Sequence, residues 1–404
     1  MSASGFPPLF MTPILDAKTA ATSYYSRMQR DSGAPLYEFF AGGGLARLGL
    51  SPDFACTFAN DIEPAKARAY AAAFPGDEMR VGDIWNLTAG DLPGQAALAW
   101  ASFPCQDLSL AGARAGLAAP RSGAFWGFHR LIERLGHEHR APDILALENV
   151  TGLLSSHGGA DFSALIHALD GLGYRVGALE IDAALFVPHS RPRLFIIAAR
   201  QAPNALIGAG PSEPFHTPAL RNVVARLPDA LRKRFVWWRL AAPPKRNTRL
   251  ADLLDDDAVW NSGEQTARLI SQMSELQRAR LDALRESGRR EVGAVFKRIR
   301  IEHGERVQRA EARFDGVAGC LRTPAGGSSR QSLISVEGER VRSRLISPRE
   351  AARLMGVPDH HPLPANQTAA LHLLGDAVCV PVVRWLSQHL LGPLAGAAAV
   401  RKTA

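Results

Sequence analysis

Leu36-Tyr37-Glu38-Phe39-Phe40-Ala41-Gly42-Gly43-Gly44-Leu45-Ala46-Arg47-Leu48-Gly49-Leu50 decides the fold. Its first five residues have buried-strand character, its glycines make a tight turn, and residues 45–50 resume with helical spacing. Residues 54–59 repeat the strand signal, 64–74 read as a helix opened by Pro64, and 81–84 as a short third strand. The alternation continues with strands at 97–103, 143–147, 174–181 and 194–199 and helices at 123–135 and 162–172. Strands alternating with helices predict an α/β fold, a doubly wound and mainly parallel sheet. Sheets of that kind carry their ligands along the carboxyl ends of the strands.

After Arg200 the alternation stops, and proline-rich pieces, Trp237-Trp238, the acidic run Asp255-Asp256-Asp257 and an arginine-rich stretch over 268–313 follow. A core-like pattern returns near Leu345, with Pro348 opening a helix and a helical run over 378–390. A chain of 404 residues suggests two lobes, because one core rarely grows beyond ~250–300 residues. We therefore divide it into an extension (1–34), a first lobe (35–204), a second lobe (205–320) and a return to the first (321–404). The net charge of +8 falls almost entirely within 201–340. Two readings of that excess stand side by side: a polyanionic partner such as nucleic acid, or a solvated arginine-rich helical surface.

Four scattered cysteines, Cys56, Cys105, Cys320 and Cys379, form no C-x-x-C pair and no metal-ligand cluster, so we expect a reduced, cytoplasmic protein with no bound metal. No signal-peptide pattern and no run of about twenty uninterrupted apolar residues occurs, and no membrane partner is expected.

The glycine turn, followed about twenty residues later by Asp61 at the end of the second strand, has the layout of a nucleotide site. Glycines let backbone approach a ligand, and a carboxylate can hold two ribose hydroxyls. The spacing is F-x-G-x-G, which suits an adenosine without a pyrophosphate, and S-adenosylmethionine is the natural candidate. Asp83 reads either as a contact to the adenine amino group or as a plain turn residue. Phe103-Pro104-Cys105-Gln106 puts a cysteine in a turn at a strand's carboxyl end, which reads as a nucleophile or as a small buried hydrophobe.

Phe40 to Gly44, Pro104-Cys105-Gln106, Glu148-Asn149-Val150, Arg191-Pro192-Arg193, Arg349-Glu350-x-x-Arg353-Leu354 and Gly375-Asp376-Ala377-Val378, in that order, resemble the motifs of DNA (cytosine-5) methyltransferases of bacterial and phage type. The resemblance spans about 35–200 and 317–390. It implies a class I S-adenosylmethionine-dependent fold and methyl transfer to C5 of a cytosine flipped out of double-stranded DNA. Cys105 would add to C6, Glu148 would hold a proton at N3, Arg193 would brace the base carbonyl, and Arg191 would lie near the pocket and the DNA backbone. Cofactor contacts are implied for Phe40, Gly42, Gly44, Asp61, Ile62, Asp83, Ile84, Pro104, Asp376 and Val378. DNA contacts are implied for Gln106, Ser109, Arg322, Thr323 and Arg330. The second lobe would be the target-recognition domain.

Three positions depart from the family pattern: Asp376 stands where Asn is usual, Leu45 where a third glycine is common, and His189 where glutamine is usual. The expected role is restriction-modification protection or epigenetic marking, as a monomer, with a companion endonuclease encoded nearby. Two alternatives differ in class: a tRNA cytosine-5 methyltransferase of the same fold, and a catalytically silent DNA-binding relative. The first usually has Pro-Phe-Thr after its Cys-Gln, where Asp107-Leu108-Ser109 stands here.

Overall fold

A computed structural model describes residues 33–104, 123–255, 257–302, 304–323 and 330–403. The first lobe runs β1 (Ala34–Phe39), α1 (Leu45–Leu50), β2 (Phe54–Asp61), α2 (Pro64–Ala73), β3 (Met79–Val81), β4 (Leu98–Ala101), α3 (Ala124–His137), β5 (Ile144–Val150), α4 (Ala160–Gly171), β6 (Arg175–Asp182) and β7 (Pro192–Ala199). These strands form one sheet in the order β3-β2-β1-β4-β5-β7-β6, in which only β7 runs against its neighbours. The expected mainly parallel, doubly wound α/β sheet is present.

Alternation along the strands sorts the core into two faces. Leu36, Leu98 and Ile144 lie in register on one face, and Tyr37, Ala99 and Leu145, one residue on, face the other way. The first set packs with α1 and α2, and the second with α3 and α4. Each fully buried leucine or phenylalanine contributes about 1.5–3 kcal/mol by leaving water. The strand expected over 81–84 ends at Val81, because Asp83 turns the chain and its carboxylate accepts from Trp85 N at 3.0 Å.

After β7 the chain does not leave this core. Helices α5 (Pro218–Ala225) and α6 (Asp229–Arg234) bury Leu220, Val223, Val224 and Leu231 in the same cluster as α3 and α4. Trp238 Nε1 donates to Ile197 O at 3.0 Å, and a Cβ on Gly177 would lie 2.1 Å from Val236 O, so residues 236–238 lie directly on β6 and β7. Residues 205–240 thus belong to the first lobe, a correction to the division at 205.

The smaller lobe contains α7 (Gly263–Ser271), α8 (Glu275–Glu286), β8 (Glu291–Glu302), β9 (Glu305–Arg313), β10 (Ser332–Glu337) and β11 (Arg340–Leu345). Its antiparallel sheet has the order β11-β10-β8-β9. Leu269 of α7, Leu281 of α8 and Met273 between the two helices cover Val295, Ala310, Ala312, Ile334 and Val336 on one face. The expected boundary at 320 is corrected as well, since β10 and β11 carry this sheet to Leu345.

Helices α9 (Pro348–Leu354), α10 (Gln367–Asp376), α11 (Val380–Leu386) and α12 (Gly392–Thr403) complete the chain. Arg384 of α11 donates to Leu48 O at 2.8 Å, and a Cβ on Gly49 would lie 2.6 Å from Val383 Cβ, so α11 packs closely on α1. By length and composition the run Gln367–Val400 passes for a membrane span, yet 61% of its most apolar window is buried inside the protein.

Candidate active site

Parallel strands deliver their carboxyl ends to one edge of the sheet, where the turns after β1, β2, β4 and β5 converge. The turn after β1 requires unusual backbone: Phe40 and Gly42 have φ of 56° and Gly44 has φ of 77°. A side-chain-bearing residue such as Phe40 in that region costs roughly 1–3 kcal/mol, so surrounding bonds must hold it. Ala41 N donates to Asn60 O at 2.9 Å, and Gly42 N donates to Asp61 Oδ2 at 2.8 Å. Beneath the turn, the buried carboxylate of Glu38 accepts from Arg47 N at 3.2 Å and from the Tyr70 hydroxyl at 3.3 Å. Glu38 thereby caps α1, whose own N-cap, Gly44, has no side chain to do so.

Asp61 Oδ1 also accepts from Glu63 N at 2.8 Å. Burial pushes the Asp61 pKa up, opposed by the amide bonds from Glu63 and Gly42. A Cβ at Gly42 would meet nothing within 4 Å, and the neighbouring Ile62 is 60% exposed. An open shelf bordered by a carboxylate and an exposed apolar side chain has the shape and chemistry that could hold an adenosine. Asp83 spends Oδ1 on its own turn, and Ile84 is buried against Gly127 of α3.

Glu148, near the end of β5, is 6% exposed, and Arg193 Nε lies 3.1 Å from its Oε1. Burial raises the Glu148 pKa, opposed in turn by Arg193, Arg191 and a hydrogen bond from Ser102. Ser102 is held by Trp100 Nε1 at 2.9 Å. Asn149 Nδ2 donates to Phe103 O at 3.1 Å, which fixes the chain entering Pro104 against the end of β5. Cys105, Gln106 and Ser109 lie outside the described residues.

Arg191 does not face a DNA backbone, as the resemblance had implied. It is 1% exposed, and its guanidinium donates to Leu321 O at 2.9 Å, Gly375 O at 2.8 Å and Ala377 O at 2.7 Å. A guanidinium surrounded by carbonyls is a cross-brace, here tying β7 to the 320–321 and 375–377 segments. His189 beside it donates Nδ1–H to Leu354 O at 3.2 Å and accepts at Nε2 from Leu321 N at 3.0 Å. It thus fills one donor and one acceptor position, as a glutamine amide does. Burial, aided by Arg191, lowers its pKa to about 3 and keeps it neutral.

Asp376 Oδ2 pairs with Lys66 Nζ at 2.9 Å, and Lys66 also reaches Glu63 Oε1 at 3.0 Å. Val378 is buried. Arg322 is exposed and Thr323 half-buried, and their backbone lies against Gly375. Arg330 spends one guanidinium nitrogen on Thr368 Oγ1 at 2.5 Å. Sequence reasoning missed Lys66, Ser102, Glu38 and the work of Asn149. Only Lys66 left a signal, its i,i+3 spacing from Glu63 on a helix.

A family model described as C-5 cytosine-specific DNA methylase matches residues 35–391. The chain is 26% identical over 358 residues to the type II methyltransferase M.DsaV of Dactylococcopsis salina, covering 88% of this chain and 85% of that one. It is 24% identical over 372 residues to the type II methyltransferase M.NlaX of Neisseria lactamica, covering 89% and 96%. In fold it is similar to the S. pombe Dnmt2 methyltransferase, with a TM-score of 0.55 at 18% identity over 90% of this chain and 99% of that one.

Proposed function

This chain belongs to the C-5 cytosine-specific DNA methylase family, and from that premise we propose how its residues act as an S-adenosylmethionine-dependent DNA (cytosine-5) methyltransferase. When bound, S-adenosylmethionine supplies an electrophilic methyl group. Asp61 and Ile62 would hold its adenosine beside the Phe40 to Gly44 turn, with Asp376 joined to Glu63 through Lys66 nearby.

C5 of cytosine is too weak a nucleophile until the ring becomes enamine-like. The Cys105 thiolate forms a bond to C6 while Glu148 gives its proton to N3, so the electron pair of the C5–C6 bond becomes available at C5. After C5 is methylated, its proton leaves to solvent, the Cys105–C6 bond breaks, and N3 returns its proton to Glu148. Arg193 orients the Glu148 carboxyl and faces the base carbonyl. Asn149, through Phe103 O, holds the loop entry that leads to Cys105. The target base is flipped out of the duplex, at an unstacking cost of about a few kcal/mol offset by pocket contacts.

The observation that carries this reading is the buried Glu148–Arg193 pair at the carboxyl end of β5, with its carboxyl biased toward the protonated form. The type II names of the relatives support a role in restriction-modification, and with it a companion endonuclease. The unit proposed to act on duplex DNA is a monomer.

The test is transfer of labelled methyl from S-adenosylmethionine to mixed-sequence duplex DNA by the protein and by Cys105→Ala, with bisulfite sequencing of the product. Methylcytosine within a defined sequence, absent with the variant, is expected. Transfer by the variant at the rate of the unchanged protein would overturn the role of Cys105, and transfer to tRNA alone would overturn the choice of DNA.

A further inference from the structure

The β8–β9 hairpin outruns the rest of its sheet. β10 pairs with β8 only as far as Val295, while the ladder between β8 and β9 continues to Glu302 opposite Glu305. Among the described residues the outer half therefore pairs only as a two-stranded ribbon, the shape that enters a DNA major groove.

Its two faces differ. Val295 and Ala310 on one side are buried under α7 and α8. On the other side the ring of Phe296 covers Gly319, where an added Cβ would lie 1.7 Å from Phe296 Cζ. Gly319 is two residues from Leu321, whose carbonyl and amide are held by Arg191 and His189. The face that begins with Phe296 is therefore turned toward the first lobe, against whose core Ala294 and Phe296 pack. By strand alternation Arg298 and Arg300 continue that face.

These arginines are held in place. Glu311 lies between them, accepting from Arg300 Nε at 2.7 Å and lying 3.4 Å from Arg298 Nε. Arg298 also stands directly opposite Arg309, a like-charge pairing that weakens a ribbon unless acids offset it. Glu311 on one flank and Glu302, paired with Arg309, on the other supply that offset. Glu311 takes Arg298 through Nε and Arg300 side-on through Nε and Nη2, and both side chains remain about half exposed (50% and 49%), with the Nη1 ends left without a carboxylate partner among the described residues.

We infer that Arg298 and Arg300 are a base-reading pair, oriented by Glu311, that selects two guanines separated by one base pair in the target duplex. Two residues along a strand advance about 6.8 Å, and two base steps also advance about 6.8 Å. An arginine's outer end matches guanine O6 and N7 as a bidentate donor. This assignment rests on the proposed action on duplex DNA.

The test compares the unchanged protein with Arg298→Lys, Arg300→Lys and Glu311→Gln on a duplex library randomised around the methylated cytosine, read by bisulfite sequencing. Lysine keeps the charge and loses the fork. Each lysine variant is expected to lose preference for guanine at one position, the two positions flanking a single base pair, with roughly 10- to 100-fold lower turnover of the preferred sequence. Glu311→Gln weakens both positions together. A sequence preference identical to that of the unchanged protein, or a uniform loss over all sequences that marks phosphate contacts, overturns the inference and leaves DNA methylation standing. Failure of the unchanged protein to methylate any duplex instead overturns the proposed function. Retained S-adenosylmethionine binding by the variants, measured by titration calorimetry, separates these outcomes from misfolding.

Discussion

Lys66 Nζ lies 2.9 Å from Asp376 Oδ2 and 3.0 Å from Glu63 Oε1, so one ammonium joins α2 to the end of α10. The aspartate that departs from the family pattern thus has a cation of its own. Asp376 is 46% exposed, and exposed pairs contribute about 0.2–1 kcal/mol, so the pair matters for position and local charge more than for global stability. Lys66→Ala is expected to weaken S-adenosylmethionine binding by leaving Asp61, Glu63 and Asp376 without their shared counter-charge. Adding Asp376→Asn should restore part of the loss, giving a coupling of about 0.5 kcal/mol in a double-mutant cycle measured by calorimetric titration. Additive single changes would show that the two side chains act independently.

His189 makes stability depend on acid. Its folded pKa of about 3 lies below the ordinary value of about 6.5, so in that window the unfolded chain binds more protons than the folded one. Its contribution is full above about pH 6.5 and is lost as the pH falls toward 3. Urea denaturation at pH 7.5 and pH 5 should show a smaller loss in His189→Gln than in the unchanged protein. An equal loss in both would assign the acid sensitivity to other groups, with His361, lowered to about 4 by burial, the next to change.

Gly375 has a packing reason to be glycine. A Cβ there would lie 2.6 Å from Thr323 N and 2.7 Å from Arg322 C, both backbone atoms that cannot swing aside. Alanine in a helix gains up to about 1 kcal/mol over glycine, while overpacking costs about 1–3 kcal/mol. The clash outweighs the gain, so Gly375→Ala should lower the melting temperature and loosen the carbonyls that Arg191 holds. A higher melting temperature would mean that the 321–323 segment yields freely.

The main sheet was legible because its strands are apolar on both faces and each is followed by a turn or a helix. The smaller sheet was not, because β8 and β9 beyond Val295 carry charged residues on a ribbon exposed at half of its positions, and 268–313 therefore read only as arginine-rich. Residues 205–240 read as a separate lobe because the alternation of strands and helices stops there, whereas α5, α6 and Trp238 pack on the main sheet. Catalytic candidates at strand ends were legible from their motifs. The braces were not: His189 meets Leu321 across 132 positions and Arg191 meets Gly375 across 184, distances over which sequence pattern carries no sign of contact.

Glu148→Gln separates the proton from the shape. Glutamine retains an oxygen for Arg193 Nε and fills the same volume, but it has no proton to give to N3. Loss of a positioned general acid reduces turnover by about 10²- to 10⁴-fold, and S-adenosylmethionine binding should be unchanged because the proposed adenosine shelf at Asp61 and Ile62 does not include Glu148. Burial raises the Glu148 pKa, so in the unchanged protein turnover falls as the pH rises through that value and the acid is lost. The variant's residual turnover should lack this limb. The same shift ties stability to pH: protonated Glu148 contributes fully below its unfolded pKa, and that contribution is lost as the pH rises through the folded value. At pH 8 the glutamine variant, freed from a buried carboxylate, is therefore expected to melt no lower than the unchanged protein. A variant that turns over at the unchanged rate, or keeps the alkaline limb, would move the acid role to another group.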